Sequence, residues 1–87
     1  MQINLDCTVG HDVVLGDHST LAPGVHLSGW VELGAGAYIG TGATVINGTA
    51  GAPVVIGAGA VVGAGACVTG NVAPGVTVVG VPAKPRP

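Results

Sequence analysis

Aliphatic residues recur at every sixth position along most of the chain. Neither the 3.6-residue period of a helix nor the alternation of a simple strand gives this spacing, whereas a six-residue repeat is typical of a parallel β-helix. We therefore predict an all-β protein built from hexapeptide repeats. The aliphatic positions are Ile3, Val9, Leu15, Leu21, Leu27, Leu33, Ile39 and Val45, and then Ile56, Val62 and Val68.

The other hexad positions indicate how the chain turns. The fifth position holds small or β-branched residues, from Cys7 and Val13 to Ala66 and Val72, while Gly, Asp or Asn cluster where the chain must bend. Each hexad is then a short strand plus a corner, and three hexads make one triangular coil of eighteen residues. We predict four to five stacked coils in a single domain over residues 1–87, which share one narrow aliphatic core.

The repeat is interrupted once after Val45, because the next aliphatic position comes eleven residues later instead of six. Five extra residues therefore lie in an inserted loop, placed at 47–55, and a C-terminal tail is expected over 80–87. The eighteen-residue coil also predicts which residues share a corner of the prism. These columns are His11, Gly29 and Asn47; Pro23, Thr41 and Ala64; and Asp17, Ala35 and Ala58.

Charge is scarce, and its distribution excludes several functions. Lys84 and Arg86 are the only basic residues, so a nucleic-acid-binding surface is not expected. The uncharged run between Glu32 and Lys84 is long enough to cross a membrane, but Gly and Pro interrupt it and the hexads continue through it. No signal peptide precedes Ile3, so we predict a cytoplasmic protein that covers part of its surface with copies of itself.

His11 and Asp12 are the first candidates for chemistry, because they lie together on a predicted corner and point outward. A carboxylate beside an imidazole can fix its tautomer and raise its basicity, which suits a general base near neutral pH. Taken alone, the dipeptide is more simply interpreted as an incidental pair on a solvated turn.

The order of the motifs gives the pair its context. The chain resembles the hexapeptide-repeat acetyltransferases over nearly its whole length, and the similarity is strongest to bacterial sugar O- and N-acetyltransferases of the sialic-acid and nucleotide-amino-sugar type. The motifs that carry the resemblance are Gly10-His11-Asp12, Leu15-Gly16-Asp17, Ala22-Pro23-Gly24, Ser28-Gly29, Ile39-Gly40-Thr41-Gly42-Ala43 and the ending Val79-Gly80-Val81-Pro82-Ala83-Lys84.

The resemblance implies a left-handed coil, although the general rule for parallel crossovers favours the right hand. It implies that His11 deprotonates a sugar hydroxyl or amine, that Asp12 orients His11, and that acetyl-CoA is the co-substrate. The backbone N–H of Gly29 would bind the acetyl carbonyl oxygen, and the main chain at Thr41 and Ala64 the pantetheine arm. Thr20 matches a position that is often histidine in the family, which weakens a side-chain contact to the cofactor there.

Such enzymes are trimers with the acetyl-CoA groove between adjacent prisms, so the resemblance also implies a homotrimer. Relatives usually carry an N-terminal nucleotide-binding domain, whereas this chain begins with Met1 directly in the repeat. The alternative to a sugar acetyltransferase is therefore an isolated or engineered trimeric scaffold that binds acetyl-CoA weakly or not at all, without turnover.

Two other functions are less favoured. A zinc hydratase would need histidines that converge, but His11, His18 and His26 fall on different corners or faces, so no metal is expected. An ice-binding solenoid would need a ladder of threonines on a flat face, and Thr8, Thr20, Thr44 and Thr49 do not form one. Two roles stay open: Trp30 as a wall of the acceptor site or as a filler between subunits, and the insertion as a cover for the cofactor or a plain surface loop. Lys84 and Arg86 are expected in a frayed tail.

Overall fold

The protein is a left-handed parallel β-helix with a triangular cross-section. The structure is a computed structural model that describes residues 2–3 and 5–86. Its thirteen strands are β1 Gln2–Ile3, β2 Thr8–Val9, β3 Val14–Leu15, β4 Thr20–Leu21, β5 His26–Leu27, β6 Val31–Leu33, β7 Tyr38–Ile39, β8 Thr44–Val45, β9 Val54–Ile56, β10 Val61–Val62, β11 Cys67–Val68, β12 Thr77–Val79 and β13 Lys84–Pro85. The described part of the chain contains no helix, and hence none that could cross a membrane.

Three sheets form the faces of the prism, and each coil contributes one strand to each face. The first sheet has the order β1-β4-β7-β10-β12-β13, the second β2-β5-β8-β11 and the third β3-β6-β9. All pairings are parallel except β12 with β13. The predicted fold class is therefore confirmed.

The strand register shows the coil length. Thr8 pairs with His26 and His26 with Thr44, so each coil advances eighteen residues, as predicted. The next step, from Thr44 to Cys67, advances 23 residues. The five extra residues are 49–53, because Gly48 still donates to Gly29 in the coil below and Val54 donates to Trp30. Thr49 and Ala52 close this insertion by exchanging two backbone hydrogen bonds of 3.1 Å.

The last coil is shorter than the sequence pattern predicted. Val61 pairs with Thr77, an advance of only sixteen residues, and Val72 pairs with Ile56. Val72 therefore occupies an aliphatic position rather than the small fifth position predicted for it. The side chain of Asn71 takes the place of a backbone acceptor in the shortened coil. Its Oδ1 accepts a 2.8 Å hydrogen bond from the N–H of Val55.

The C-terminal segment was expected to be frayed, and that prediction is wrong for residues up to Arg86. After a cis bond between Val81 and Pro82, the chain reverses and β13 pairs antiparallel with β12. The N–H of Arg86 donates to the carbonyl of Thr77 at 2.8 Å. Pro87, the end of the predicted tail, and Met1, the start of the predicted domain, lie outside the described residues.

The core is a single column of aliphatic and small side chains inside the prism. Both inward positions of the hexads are buried from Leu21 to Val45 and from Ile56 to Val68, as the repeat predicted, whereas Ile3 and Val9 in the first hexads are 46% and 42% exposed. Ser19 is the one buried polar residue within the described chain, and its Oγ donates to the carbonyl of Gly16 at 2.7 Å. The largest fully buried side chains are Leu21, Val25, Val31, Ile39, Val45, Ile56, Val62 and Val68.

Most corners have a residue with positive φ at the fourth position of the hexad, and Gly48, beside the insertion, is an exception. Glycine holds most of these positions, since it adopts the left-handed conformation without steric cost. Four are not glycine: Asp6 (60°), Asp12 (55°), His18 (60°) and Trp30 (59°). Aspartate tolerates this conformation better than most residues, but a bulky tryptophan there is an outlier.

Candidate active site

One edge of the prism, between the second and third sheets, carries the candidate chemistry. We call it the His11 edge; it consists of His11, Gly29 and Asn47 with their immediate neighbours. The N–H of Trp30 donates to the carbonyl of His11 at 3.1 Å, and the N–H of Gly48 to the carbonyl of Gly29 at 3.0 Å. The three residues thus occupy the same corner of successive coils, as the repeat predicted. The insertion at 49–53 leaves from this edge.

The imidazole of His11 is paired with the carboxylate of the next residue. Its Nδ1 lies 2.9 Å from Oδ2 of Asp12, in the only ion pair among the described residues. The His11 side chain is 72% exposed and that of Asp12 54%, so both are open to solvent. A carboxylate accepts hydrogen bonds only, so we assign the proton to Nδ1, which leaves the Nε2 lone pair free to accept a proton.

Gly29 lies directly beneath this imidazole. A Cβ atom added at Gly29 would stand 2.8 Å from Nε2 and 2.9 Å from Cε1 of His11, which is closer than side chains pack. Gly29 is buried, whereas other residues at the same hexad position are exposed. Examples are Ala35 and Thr41 on the other two corners and Asn47 on the same corner of the next coil. The ring of His11 covers it. The lack of a side chain at Gly29 therefore allows the imidazole to rest on the main chain.

Within the part of the chain that the structure describes, the N–H group of Gly29 donates no hydrogen bond. A fixed backbone donor beside a general base is the arrangement that stabilises the oxyanion formed during acyl transfer. His11, Asp12 and Gly29, which the sequence predicted as site residues, are thus brought together by the fold.

Trp30 is the fourth residue of this site, and its role could not be decided from the sequence. Its indole lies perpendicular to the imidazole of His11, with the ring centroids 5.8 Å apart and an angle of 88° between the planes. Such an edge-to-face arrangement is favourable for aromatic rings. The eighteen-residue coil places Trp30 one coil from Asp12, but the ring contact with His11 depends on side-chain orientations that the repeat does not specify.

The remaining predicted site residues lie elsewhere on the prism. Thr41 and Ala64 share the corner between the first and second sheets, where the N–H of Gly65 donates to the carbonyl of Thr41 at 2.8 Å. Both are exposed, as expected for a surface that binds a ligand through the main chain. Thr20 is half-buried in β4, beside Tyr38 of β7. One copy of the chain does not bring these residues to the His11 edge.

The other histidines and the cysteines do not assemble into a second site. His18 lies at a different corner, and His26 is hydrogen-bonded through Nδ1 to the hydroxyl of Thr8 on the second sheet. No three His, Cys, Asp or Glu side chains in residues 2–3 and 5–86 are placed to hold a metal ion. Cys7 and Cys67 are free thiols.

A separate cavity of about 380 Å³ lies at the C-terminal end of the prism. It opens where the last coil is shortened, between that coil and the returning segment that contains Ala83 and Pro85. Its lining is mainly apolar and includes Val68, Asn71 and Val76. None of its lining residues belongs to the His11 edge.

Comparison with known proteins agrees with the fold. Residues 12–47 match the family of bacterial transferase hexapeptide repeats, in a model of six repeats. The repeat match agrees with the left-handed β-helix described above. The chain is also similar to GDP-perosamine N-acetyltransferase of Escherichia coli O157:H7, with 46% identity over 81 residues. That match covers 93% of this chain and 37% of the relative.

Solved structures show the same similarity. WeeI from Acinetobacter baumannii AYE has 49% identity and a TM-score of 0.94, and the match covers 95% of this chain and 39% of WeeI. PerB from Caulobacter crescentus, solved with CoA and GDP-perosamine, has 39% identity and a TM-score of 0.88 over 97% of this chain and 38% of PerB. The acetyltransferase domain of PglB from Neisseria gonorrhoeae FA1090, solved with acetyl coenzyme A, has 38% identity and a TM-score of 0.87, over 95% of this chain and 38% of that domain. The chain therefore spans less than two fifths of the length of these relatives.

Proposed function

We propose that the protein transfers the acetyl group of acetyl-CoA to the amine of a nucleotide-linked amino sugar, with His11 as the general base. The observation that supports this most directly is the imidazole of His11 held by Asp12 over the main chain of Gly29. The relatives support the substrate class, since one is named a GDP-perosamine N-acetyltransferase and another was solved with CoA and GDP-perosamine.

In the proposed reaction, the neutral acceptor amine attacks the thioester carbonyl while Nε2 of His11 accepts a proton from the attacking nitrogen. A C–N bond forms, and the carbonyl oxygen becomes negatively charged. The N–H of Gly29 donates a hydrogen bond to that oxygen. The C–S bond then breaks, and the CoA thiolate leaves and takes the proton from His11. Asp12 keeps Nδ1 protonated and stabilises the imidazolium that forms in between.

The cofactor groove requires a second copy of the chain in this proposal. Thr41 and Ala64, which would hold the pantetheine arm through their backbone, lie on a different edge from His11, with Thr20 on the adjacent sheet. In a homotrimer, that edge of one copy can face the His11 edge of the next. Exposed apolar side chains on the faces, including Val14 at 57% and Tyr38 at 44%, favour such an assembly. We place the enzyme in the cytoplasm, where acetyl-CoA and nucleotide sugars are made.

Two measurements test this function. Calorimetry measures acetyl-CoA binding, and a thiol-release assay measures transfer to a panel of acceptors that includes GDP-perosamine and other nucleotide-linked amino sugars. His11→Ala should bind acetyl-CoA but lose turnover by about 100-fold or more, the usual contribution of a general base. His26→Ala is the matched control, because His26 lies on a flat face and is expected to leave turnover unchanged.

The competing function is a trimeric scaffold without turnover. If the chain binds acetyl-CoA but shows no turnover that is lost in His11→Ala, the result would support the scaffold and contradict the enzyme. Absence of acetyl-CoA binding would contradict the proposed cofactor groove. Sedimentation of the 8.2 kDa chain as a monomer would contradict the trimer.

A further inference from the structure

Trp30 has an unfavourable backbone conformation that its side chain must offset. Its φ of 59° lies in the left-handed region, and seven other corners use glycine there. A bulky side chain in this conformation carries a steric cost that glycine avoids. Strain of this kind is found where the side chain makes contacts that the protein needs.

The backbone of Trp30 is held on both sides. Its N–H donates to His11 at 3.1 Å, and its carbonyl accepts from the N–H of Val54 at 3.0 Å. Val54 is the first residue after the insertion, so Trp30 lies between the base and the end of the inserted segment. The indole is half-buried and faces the ring of His11 at a right angle.

We infer that Trp30 is a positioning residue that holds the imidazole of His11 over Gly29. The His11 side chain is 72% exposed, and a side chain this open samples several rotamers unless its neighbours select one. Asp12 fixes one nitrogen, and the perpendicular indole restricts rotation of the ring. Together they keep Nε2 close to the N–H of Gly29. The role in catalysis rests on the proposed function, whereas the contact between the two rings does not.

The ring contact can be tested without any substrate. Trp30 is the only tryptophan in the chain, and its indole lies against the imidazole of His11 with the ring centroids 5.8 Å apart. Removal of that imidazole in His11→Ala should change the fluorescence emission spectrum of Trp30, whereas His18→Ala and His26→Ala should leave it unchanged. An emission spectrum that stays the same in His11→Ala would overturn the inference.

The catalytic role can be tested by separating the ring from the strain. Trp30→Gly removes both, so it should fold with a melting temperature near that of the natural chain while kcat falls about 10-fold. Trp30→Phe keeps a ring against His11 and should retain kcat within about threefold. The KM for acetyl-CoA should be unchanged in both variants. Trp30→Asn, which also tolerates positive φ, should resemble Trp30→Gly.

The two parts of the inference have distinguishable outcomes. Full kcat in Trp30→Gly, or equal losses in Trp30→Phe and Trp30→Gly, would overturn the positioning role. If no acceptor is turned over by the natural chain, the proposed function fails, and the fluorescence emission of Trp30 in His11→Ala still decides whether Trp30 contacts His11.

Discussion

Gly29→Ala is the substitution that most directly tests how the candidate site is built. Gly29 does not lie in the left-handed region, so alanine fits its backbone without strain. The new methyl group would stand 2.8 Å from Nε2 of His11, and ordinary contacts begin at about 3.4 Å, so the imidazole must retreat by about 0.6 Å. The ring can do so because it is the exposed end of a flexible side chain.

The retreat should damage catalysis far more than stability. Displacing a catalytic group by about 1 Å can lower the rate by about 100-fold, so we expect kcat/KM to fall by about 10- to 100-fold. The melting temperature should change by only a few degrees, since no backbone atom is in the way. The thiol-release assay measures the first quantity and thermal unfolding at constant protein concentration the second.

Two other glycines provide matched controls. Gly51→Ala lies in the insertion with no atom near its added Cβ, and it should change neither quantity. Gly34→Ala would place a Cβ 2.4 Å from the backbone nitrogen of Ala58, so it should lower the melting temperature through the fold itself. If Gly29→Ala keeps kcat/KM within twofold, or if it unfolds as readily as Gly34→Ala, the imidazole is not held over Gly29 in the way that we describe.

Four further substitutions test other parts of the structure. Asp12→Asn should lower kcat by about 10-fold in the thiol-release assay, because Nδ1 of His11 loses its charged partner; an unchanged kcat would mean that the ion pair has no catalytic role. Ile39→Ala should reduce the free energy of unfolding in urea by about 3 kcal/mol, since Ile39 is fully buried, and a loss under 1 kcal/mol would contradict a tightly packed core. Asn71→Ala should cost about 1 kcal/mol in the same measurement by leaving the N–H of Val55 without its acceptor. His18→Asn should raise the melting temperature slightly, with a gain of about 0.5 kcal/mol, because asparagine tolerates the φ of 60° at this exposed corner better than histidine; a destabilised variant would show that His18 makes a contact of its own.

The relation between sequence and structure differs between the two ends of the chain. From Thr8 to Val45 the repeat predicts the register of every strand correctly, because each hexad turns the same two positions inward and each coil rests on the one before it. Past Val68 the prediction is wrong, since the chain omits two residues and Val72 moves to an aliphatic position. Valine suits either position, so the residue type alone does not reveal the shift.

The sequence by itself determined the all-β repeat, the eighteen-residue coil, the insertion after Val45 and the corner shared by His11 and Gly29. All of these follow from which positions must be buried, and burial has a period that can be counted. Only the tertiary structure decided that the imidazole of His11 rests on Gly29, that Trp30 stands against it, and that the C-terminal segment returns as strand β13. These features depend on side-chain rotamers, left-handed corners and the space at the end of the prism, and a hydrophobic period carries no information about them.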